Sequence, residues 1–369
     1  MNKSIFTAAM LMGSLAMAAE AAKPRIEAVF VLDSTGSMGG LIEGAKQKIW
    51  SMANDMISRK PAPEIRIGLV TYRDKGDAYV TKSFDLSDDI DSVYTNLQSF
   101  KADGGGDSPE SVNQALDDAV NKIHWSKDKG VLRVIFLVGD YPPHMDYQDD
   151  VKYQVTCQQA MKKDLIINTI QCGNVAETTP VWQEIARLSE GQYVQLSQTG
   201  DMVAIATPYD VKIAKVNAEV NKTVIAYGDA RQREAVAGKV AMSSLVATSA
   251  PAAAADRATY NSKDRGKAVQ GRGDLVNDLR DGSAKLEGLK PEELPEPMRK
   301  MDEKERKAYV EQQSAQRDKL NKQVAQLAKQ REDYISAEKK KQAAAGGGKD
   351  SFDSAVRRII DTQAQEKSK

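Results

Sequence analysis

The stretch that decides the fold is Ile26-Glu27-Ala28-Val29-Phe30-Val31-Leu32-Asp33-Ser34-Thr35-Gly36-Ser37-Met38. An apolar run this continuous reads as a strand buried on both faces, the kind found in parallel sheets. It ends in an acidic, hydroxyl-rich turn, after which Leu41, Ala45, Ile49, Met52 and Met56 recur at helical spacing. The strand-to-helix pattern repeats. Ile65–Thr71, Tyr79–Phe84, Val131–Val138, Leu165–Gln171 and Gln192–Leu196 read as strands. Ile90–Phe100, Ser108–Ile123, Tyr147–Lys163 and Pro180–Ser189 read as helices between them. The alternation predicts an α/β fold over residues 22–208, a doubly wound, mainly parallel sheet whose functional loops lie at the carboxyl ends of its strands.

Beyond Pro208 the β-type runs disappear and Ala, Lys, Glu, Gln and Arg dominate. Helices are expected near 209–236, 237–258, 272–289 and 301–341, interrupted at Asn261-Ser262 and by Pro291-Glu-Glu-Leu-Pro295-Glu-Pro297. This gives an all-helical region over 209–342, a flexible glycine linker over 343–349 and a terminal helix over 350–369, with Phe352, Val356, Ile359 and Ile360 as one apolar stripe. Leu320, Val324, Leu327 and Tyr334 form a seam that suits a coiled-coil dimer or packing on the chain's own helices, and Arg317 and Arg331 interrupt it.

The N-terminus carries Lys3, an apolar stretch from Ile5 to Met17 and two A-x-A sites, after Ala18 and after Ala21. Residues 1–21 therefore read as a signal peptide, its apolar core being shorter than the roughly 20 residues of a membrane span. The expected product is a periplasmic or secreted protein with no integral membrane segment after cleavage. In an oxidising compartment Cys157 and Cys172 are candidates for a disulfide, expected to add roughly 3 kcal/mol; two independent buried thiols are the alternative.

The chain has 52 basic and 52 acidic side chains, which argues against a nucleic-acid binder. The neutrality is a cancellation: residues 22–208 carry 19 Lys and Arg against 26 Asp and Glu, and residues 209–369 carry 32 against 25. Opposite charges favour docking of the basic tail on the acidic head, or on a neighbour's head, so self-association through the tail is a further expectation.

With two His and two Cys in the chain, any metal chemistry must rest on oxygen ligands. Asp33, Thr35 and Ser37 alternate through a tight turn at Gly36 and offer a carboxylate and two hydroxyls, a set suited to Mg²⁺. A second loop, Asp103-Gly104-Gly105-Gly106-Asp107-Ser108-Pro109-Glu110, is a glycine turn, and a third places Asp140 just past a buried strand. Each loop taken alone is also explained by helix capping. Gly39-Gly40-Leu41-Ile42-Glu43-Gly44-Ala45-Lys46 lacks the lysine of a phosphate-binding loop, so nucleotide binding is not expected. Arg272-Gly273-Asp274 and Lys339-Lys340-Lys341 read as incidental surface charge.

From about residue 24 to 208 these motifs resemble a von Willebrand factor type A domain. Asp33-Ser34-Thr35-Gly36-Ser37 is similar to that family's D-x-S-x-S motif. Gly104-Gly105-Gly106-Asp107 falls at its second loop and Asp140 at its third-motif aspartate, nearest to a subgroup with Gly-Gly-Gly-Asp-x-Pro-Glu and Pro-Pro-His. The resemblance implies a metal-ion-dependent adhesion site holding a divalent cation, Mg²⁺ first with Ca²⁺ or Mn²⁺ as alternatives, on Asp33, Thr35, Ser37, Asp107 and Asp140. Two departures matter. Thr35 stands for serine and keeps the hydroxyl; Asp107 stands for threonine and adds negative charge, with Ser108 as the alternative ligand. The expected function is non-enzymatic, metal-dependent binding of a protein partner in adhesion or assembly. The alternatives are a metal-assisted hydrolase of the cell envelope and a structural protein that oligomerises through its tail.

Overall fold

The computed structural model describes residues 23–106, 108–202, 204–344 and 351–367. The expected signal peptide and Asp107 lie outside the described residues. Six strands form one sheet: β1 (Arg25–Asp33), β2 (Glu64–Tyr72), β3 (Thr81–Ser87), β4 (Val131–Gly139), β5 (Ile166–Cys172) and β6 (Tyr193–Leu196). The order is β3-β2-β1-β4-β5-β6, parallel throughout except for β3, which runs antiparallel to β2 at the edge. The chain leaves β1 toward β2 on one side and returns to β4 on the other. The carboxyl ends of β1 and β4 therefore flank the topological switch point, where open α/β sheets hold their ligands.

Side-chain alternation along β1 separates two cores. Ile26, Ala28, Phe30 and Leu32 face α1 (Gly39–Ile57) and α2 (Ile90–Gln98), whereas Val29 and Val31 face α3 (Val112–Asn121), α4 (Tyr153–Lys162) and α5 (Thr178–Leu188). The same alternation corrects the disulfide expectation. Cys157 on α4 sits in the second core and Cys172 on β5 in the first, so the sheet stands between them and both are free, buried thiols. Burial pushes the Cys157 thiol up to about 12.

Two helices begin later than periodicity suggests, for local reasons. Before α3, the backbone of Glu110 pairs with the third loop, its N–H donating to Pro142 O (2.9 Å) and its carbonyl accepting from His144 N (3.0 Å), which holds the segment extended. Before α4, the Tyr147 ring stacks on His144 at 4.0 Å and its hydroxyl donates to Asp74 at 3.0 Å.

The tail comprises α6 (Asp210–Asn221), α7 (Ala230–Ser249), α8 (Pro251–Lys263), α9 (Leu275–Arg280), α10 (Glu296–Arg299), α11 (Glu303–Ala344) and α12 (Phe352–Lys367). The helix expected over 209–236 breaks after Asn221 because Tyr227 N donates to Gly273 O and Ala226 bridges Asp274. The break expected at Asn261-Ser262 falls inside α8, where Asn261 is buried and bonded to Ala268 O and Gln270; the chain breaks instead at Ala250-Pro251.

The α11 seam is used within the chain. Val324 and Leu327 pack on Ile213, Ala255 and Ala258, and Leu320 packs on Val220 and Ala268. Its arginines are buried and paired, Arg317 with Asp274 (2.5 Å) and Arg331 with Asp210 (2.6 Å) and Asp256 (2.7 Å). The seam thus serves intramolecular packing in place of a coiled coil, and Arg272-Gly273-Asp274 ends in a fully buried carboxylate.

Head and tail share one core. Tyr260 of α8 lies 5.5 Å from Trp50 of α1, and Arg257 donates two bonds to Asp91 at 2.7 and 2.8 Å. The helix α12 returns to the sheet, where Phe352, Val356, Ile359 and Ile360 enter the α1-side core and Phe352 lies 6.2 Å from Phe30. Gln363 and Asn168 exchange two amide hydrogen bonds, at 2.8 and 3.2 Å. Among the described residues no helix is long and apolar enough to cross a membrane.

Candidate metal centre

Asp33 is the last residue of β1 and is wholly buried. Directly after it the chain folds over its carboxylate: Thr35 N and Thr35 Oγ1 both donate to Asp33 Oδ1, at 2.8 and 2.7 Å. Ser37 Oγ lies 3.3 Å from Thr35 Oγ1 at the exposed mouth of the turn. The three first-loop residues therefore stand together as their alternate spacing predicts.

The glycine loop is stitched to the first. Gly36 N donates to Gly104 O (3.1 Å) and Asp103 N to Ser34 O (3.0 Å). Gly105 has a φ of +71°, its N–H donates to Asp77 Oδ2 at 3.0 Å, and a Cβ there would lie 2.6 Å from Thr35 Cβ and 2.9 Å from Glu110 Oε1. Glycine is needed because the loop presses directly on Thr35 and Glu110. Ser108 is exposed, so of the two second-loop alternatives the described one faces solvent.

Asp140 follows β4 and is 2 % exposed. Thr178 Oγ1 donates to its carbonyl (2.7 Å) and Gln198 Nε2 to its Oδ2 (2.7 Å). At Gly139 a Cβ would meet the Tyr72 hydroxyl at 2.3 Å and Asp33 at 3.1 Å, so the ends of β1 and β4 approach only because that position has no side chain.

Sequence reasoning missed three contributors. Gln198, on the loop after β6, orients Asp140, and nothing in its local sequence signals that. Tyr72 forms part of the floor; burial, then the nearby Asp33, hold its hydroxyl above the usual tyrosine range. Glu110 is the third. It is 1 % exposed, and its Pro-Glu context reads as a helix start, whereas the strand-like pairing with Pro142 and His144 turns it into the site. A hub beneath fixes this pairing: Asp74 accepts from Ser111 Oγ (2.8 Å) and Tyr147 Oη, with His144 Nε2 at 3.4 Å.

Three buried carboxylate oxygens here lack any hydrogen-bond partner: Asp33 Oδ2, Asp140 Oδ1 and Glu110 Oε2. Burial and then the neighbouring Asp140 charge raise Asp33 to about 8, and burial followed by Asp33 raises Glu110 to about 9. Unpaired buried carboxylates are costly, and a hard cation answers both the charge and the missing bonds. The donor set of Asp33, Thr35, Ser37 and Asp140 fits such a cation through direct and water-mediated contacts. Among the described residues no three His, Cys, Asp or Glu side chains converge as a ready metal cage, so a cation here would need the hydroxyls and water for part of its coordination.

The family profile described as von Willebrand factor A domain matches residues 27–207. Over that segment the chain matches a von Willebrand factor A domain, in keeping with its six-stranded, mainly parallel sheet and flanking helices. A putative ariadne-like RING finger protein of Acanthamoeba polyphaga mimivirus is 19 % identical over 198 residues, covering 49 % of this chain and 19 % of that relative. The chain thus spans about a fifth of that protein's length. Among solved structures, the SpRpn10 VWA domain is 16 % identical, with 49 % of this chain and 94 % of that one covered, at a TM-score of 0.37. Proximal thread matrix protein 1 of the mussel byssus, with a zinc-occupied MIDAS motif, is 15 % identical over 48 % of this chain and 42 % of its own, at a TM-score of 0.36.

Proposed function

We propose that this chain is an exported, non-enzymatic binding protein whose von Willebrand factor A domain grips a protein partner through a divalent cation, with Mg²⁺ as the first candidate. The observation that carries the reading is the set of unpartnered, buried acidic oxygens gathered at the switch point of the sheet beside two hydroxyls. Asp33, Thr35, Ser37 and Asp140 would hold the cation. When bound, it supplies a Lewis-acidic coordination position for an oxygen of the partner. The chain's own residues shape that position: Gln198 fixes one oxygen of Asp140, and the Thr35 donors fix one oxygen of Asp33, leaving the other oxygen of each carboxylate turned to the site.

Among the described residues no arrangement of nucleophile and base accompanies these groups. Ser111 donates to Asp74, and His144 lies between Asp74 and Asp146, in a hub that braces the loops. Export rests on the Lys3, Ile5–Met17 and A-x-A pattern. Calorimetry with MgCl₂ and MnCl₂ tests the site: the native chain binds one cation and Asp33→Asn does not. Equal binding by both removes the reading. Capture from an envelope extract with and without chelator, with Asp33→Asn as control, then tests the partner, and N-terminal sequencing of the exported protein tests cleavage after Ala18 or Ala21.

A further inference from the structure

Glu110 closes the Gly-Gly-Gly-Asp-x-Pro-Glu stretch without being one of the expected ligands, yet it is 1 % exposed and its Oε2 has no hydrogen-bond partner. Its Oε1 would lie 2.9 Å from a Cβ at Gly105, the same Cβ that would touch Thr35. The guanidinium of Arg73 is drawn to Lys101 O and Asp103, with its Nε alone left unpartnered, and Lys75 pairs with Asp149. An internal strut would show a donor on this carboxylate, as Asp74 does with Ser111 and Tyr147. Glu110 instead has backbone anchors on both sides, which hold its side chain at the site at a fixed height.

We infer that Glu110 is an outer-shell carboxylate of the cation site, accepting hydrogen bonds from waters on the bound ion, and that its charge makes the site select a neutral oxygen of the partner in place of an acidic side chain. The inference rests on the cation-binding reading above. Mg²⁺ sheds its waters reluctantly, so a carboxylate beyond direct reach still contributes by ordering them. It also sets the charge. Once the ion has displaced their protons, Asp33, Asp140 and Glu110 outnumber its two charges by one, so an incoming carboxylate meets net repulsion, whereas a backbone carbonyl, amide or hydroxyl oxygen does not.

The test uses Mn²⁺ alone as the probe on the full chain. Titrated by calorimetry and by water-proton relaxation, Glu110→Gln binds Mn²⁺ about 10- to 100-fold more weakly than the native chain, the range typical of outer-shell partners. Acetate, as a stand-in for an acidic side chain, leaves the relaxivity of the Mn²⁺-loaded native chain unchanged and lowers it in Glu110→Gln by displacing bound water. Should Glu110→Gln not fold, Glu110→Asp, which keeps the charge and withdraws it by one methylene, must weaken Mn²⁺ binding in the same direction. Unchanged Mn²⁺ affinity in these variants, or acetate entering the native site as readily as the Gln variant's, overturns the inference. If Asp33→Asn also binds Mn²⁺ unchanged, it is the cation site itself that falls.

Discussion

Removing divalent cations should make this protein less stable as the pH rises from 5 to 8. Asp33 is the cause: in the folded, cation-free chain its acidity sits near 8, raised by burial and by the neighbouring Asp140, against an ordinary value of 3.8. Between those values the folded chain holds a proton that the unfolded chain has released. Raising the pH therefore pulls the equilibrium toward unfolding, and the loss ends once the pH passes the folded value. One proton corresponds to a slope of about 1.4 kcal/mol per pH unit, so Asp33 alone costs about 4 kcal/mol from pH 5 to 8, a large share of the 5–15 kcal/mol typical of a folded chain, and Glu110, raised from 4.5 to about 9, adds a second loss of the same sign. The assay is urea unfolding followed by circular dichroism at pH 5, 6.5 and 8, at fixed ionic strength, in chelator and again with excess MgCl₂. In chelator the stability falls with pH; Mg²⁺ restores most of it at pH 8; Asp33→Asn flattens the slope by close to one proton. A chelated chain whose stability is level or climbs between pH 5 and 8 would refute the account of the buried carboxylates.

The remaining predictions concern the scaffold. Arg317→Ala leaves Asp274 buried without its guanidinium and should cost about 3–5 kcal/mol in urea unfolding, while Arg317→Met with Asp274→Asn recovers part of the loss. Gly105→Ala forces a Cβ into Thr35 at a φ of +71° and should abolish Mn²⁺ binding by calorimetry while far-ultraviolet circular dichroism stays native. Cys157 and Cys172 should show two free thiols by mass spectrometry after alkylation in denaturant and almost none reacting in the native state, because both are buried on opposite sides of the sheet.

The sequence made the sheet legible because its central strands are buried on both faces and so announce themselves as unbroken apolar runs; β1 and β4 are the clearest cases. The first-loop residues were legible because Asp33, Thr35 and Ser37 interact over two-residue separations. What stayed hidden was nonlocal. Gln198 reaches Asp140 across 58 positions, and Glu110 is turned by pairing with the loop after β4. The tail was legible in kind but not in partners: a seam carrying Arg317 and Arg331 looks poorly apolar until Asp274, Asp210 and Asp256 are seen opposite it. The cysteine pair failed for a simpler reason. Periodicity assigns each residue to an element, but the side of the sheet on which that element lies follows from the crossover.

The return of α12 to the sheet governs when the fold can form. Asn168 on β5 finishes its hydrogen bonding on Gln363, 195 positions later, and Phe352 fills the core beside Phe30 near the other end of the chain. A chain emerging from the ribosome can assemble β1 to β6 with α1 and α2 on this face, but leaves the part of it around Phe30 and Asn168 uncovered until residues 352–367 arrive. Sheet pairings of long sequence separation are slow to form and prone to aggregate while exposed. A copy lacking residues 352–367 would expose the apolar side chains that Phe352, Val356, Ile359 and Ile360 cover.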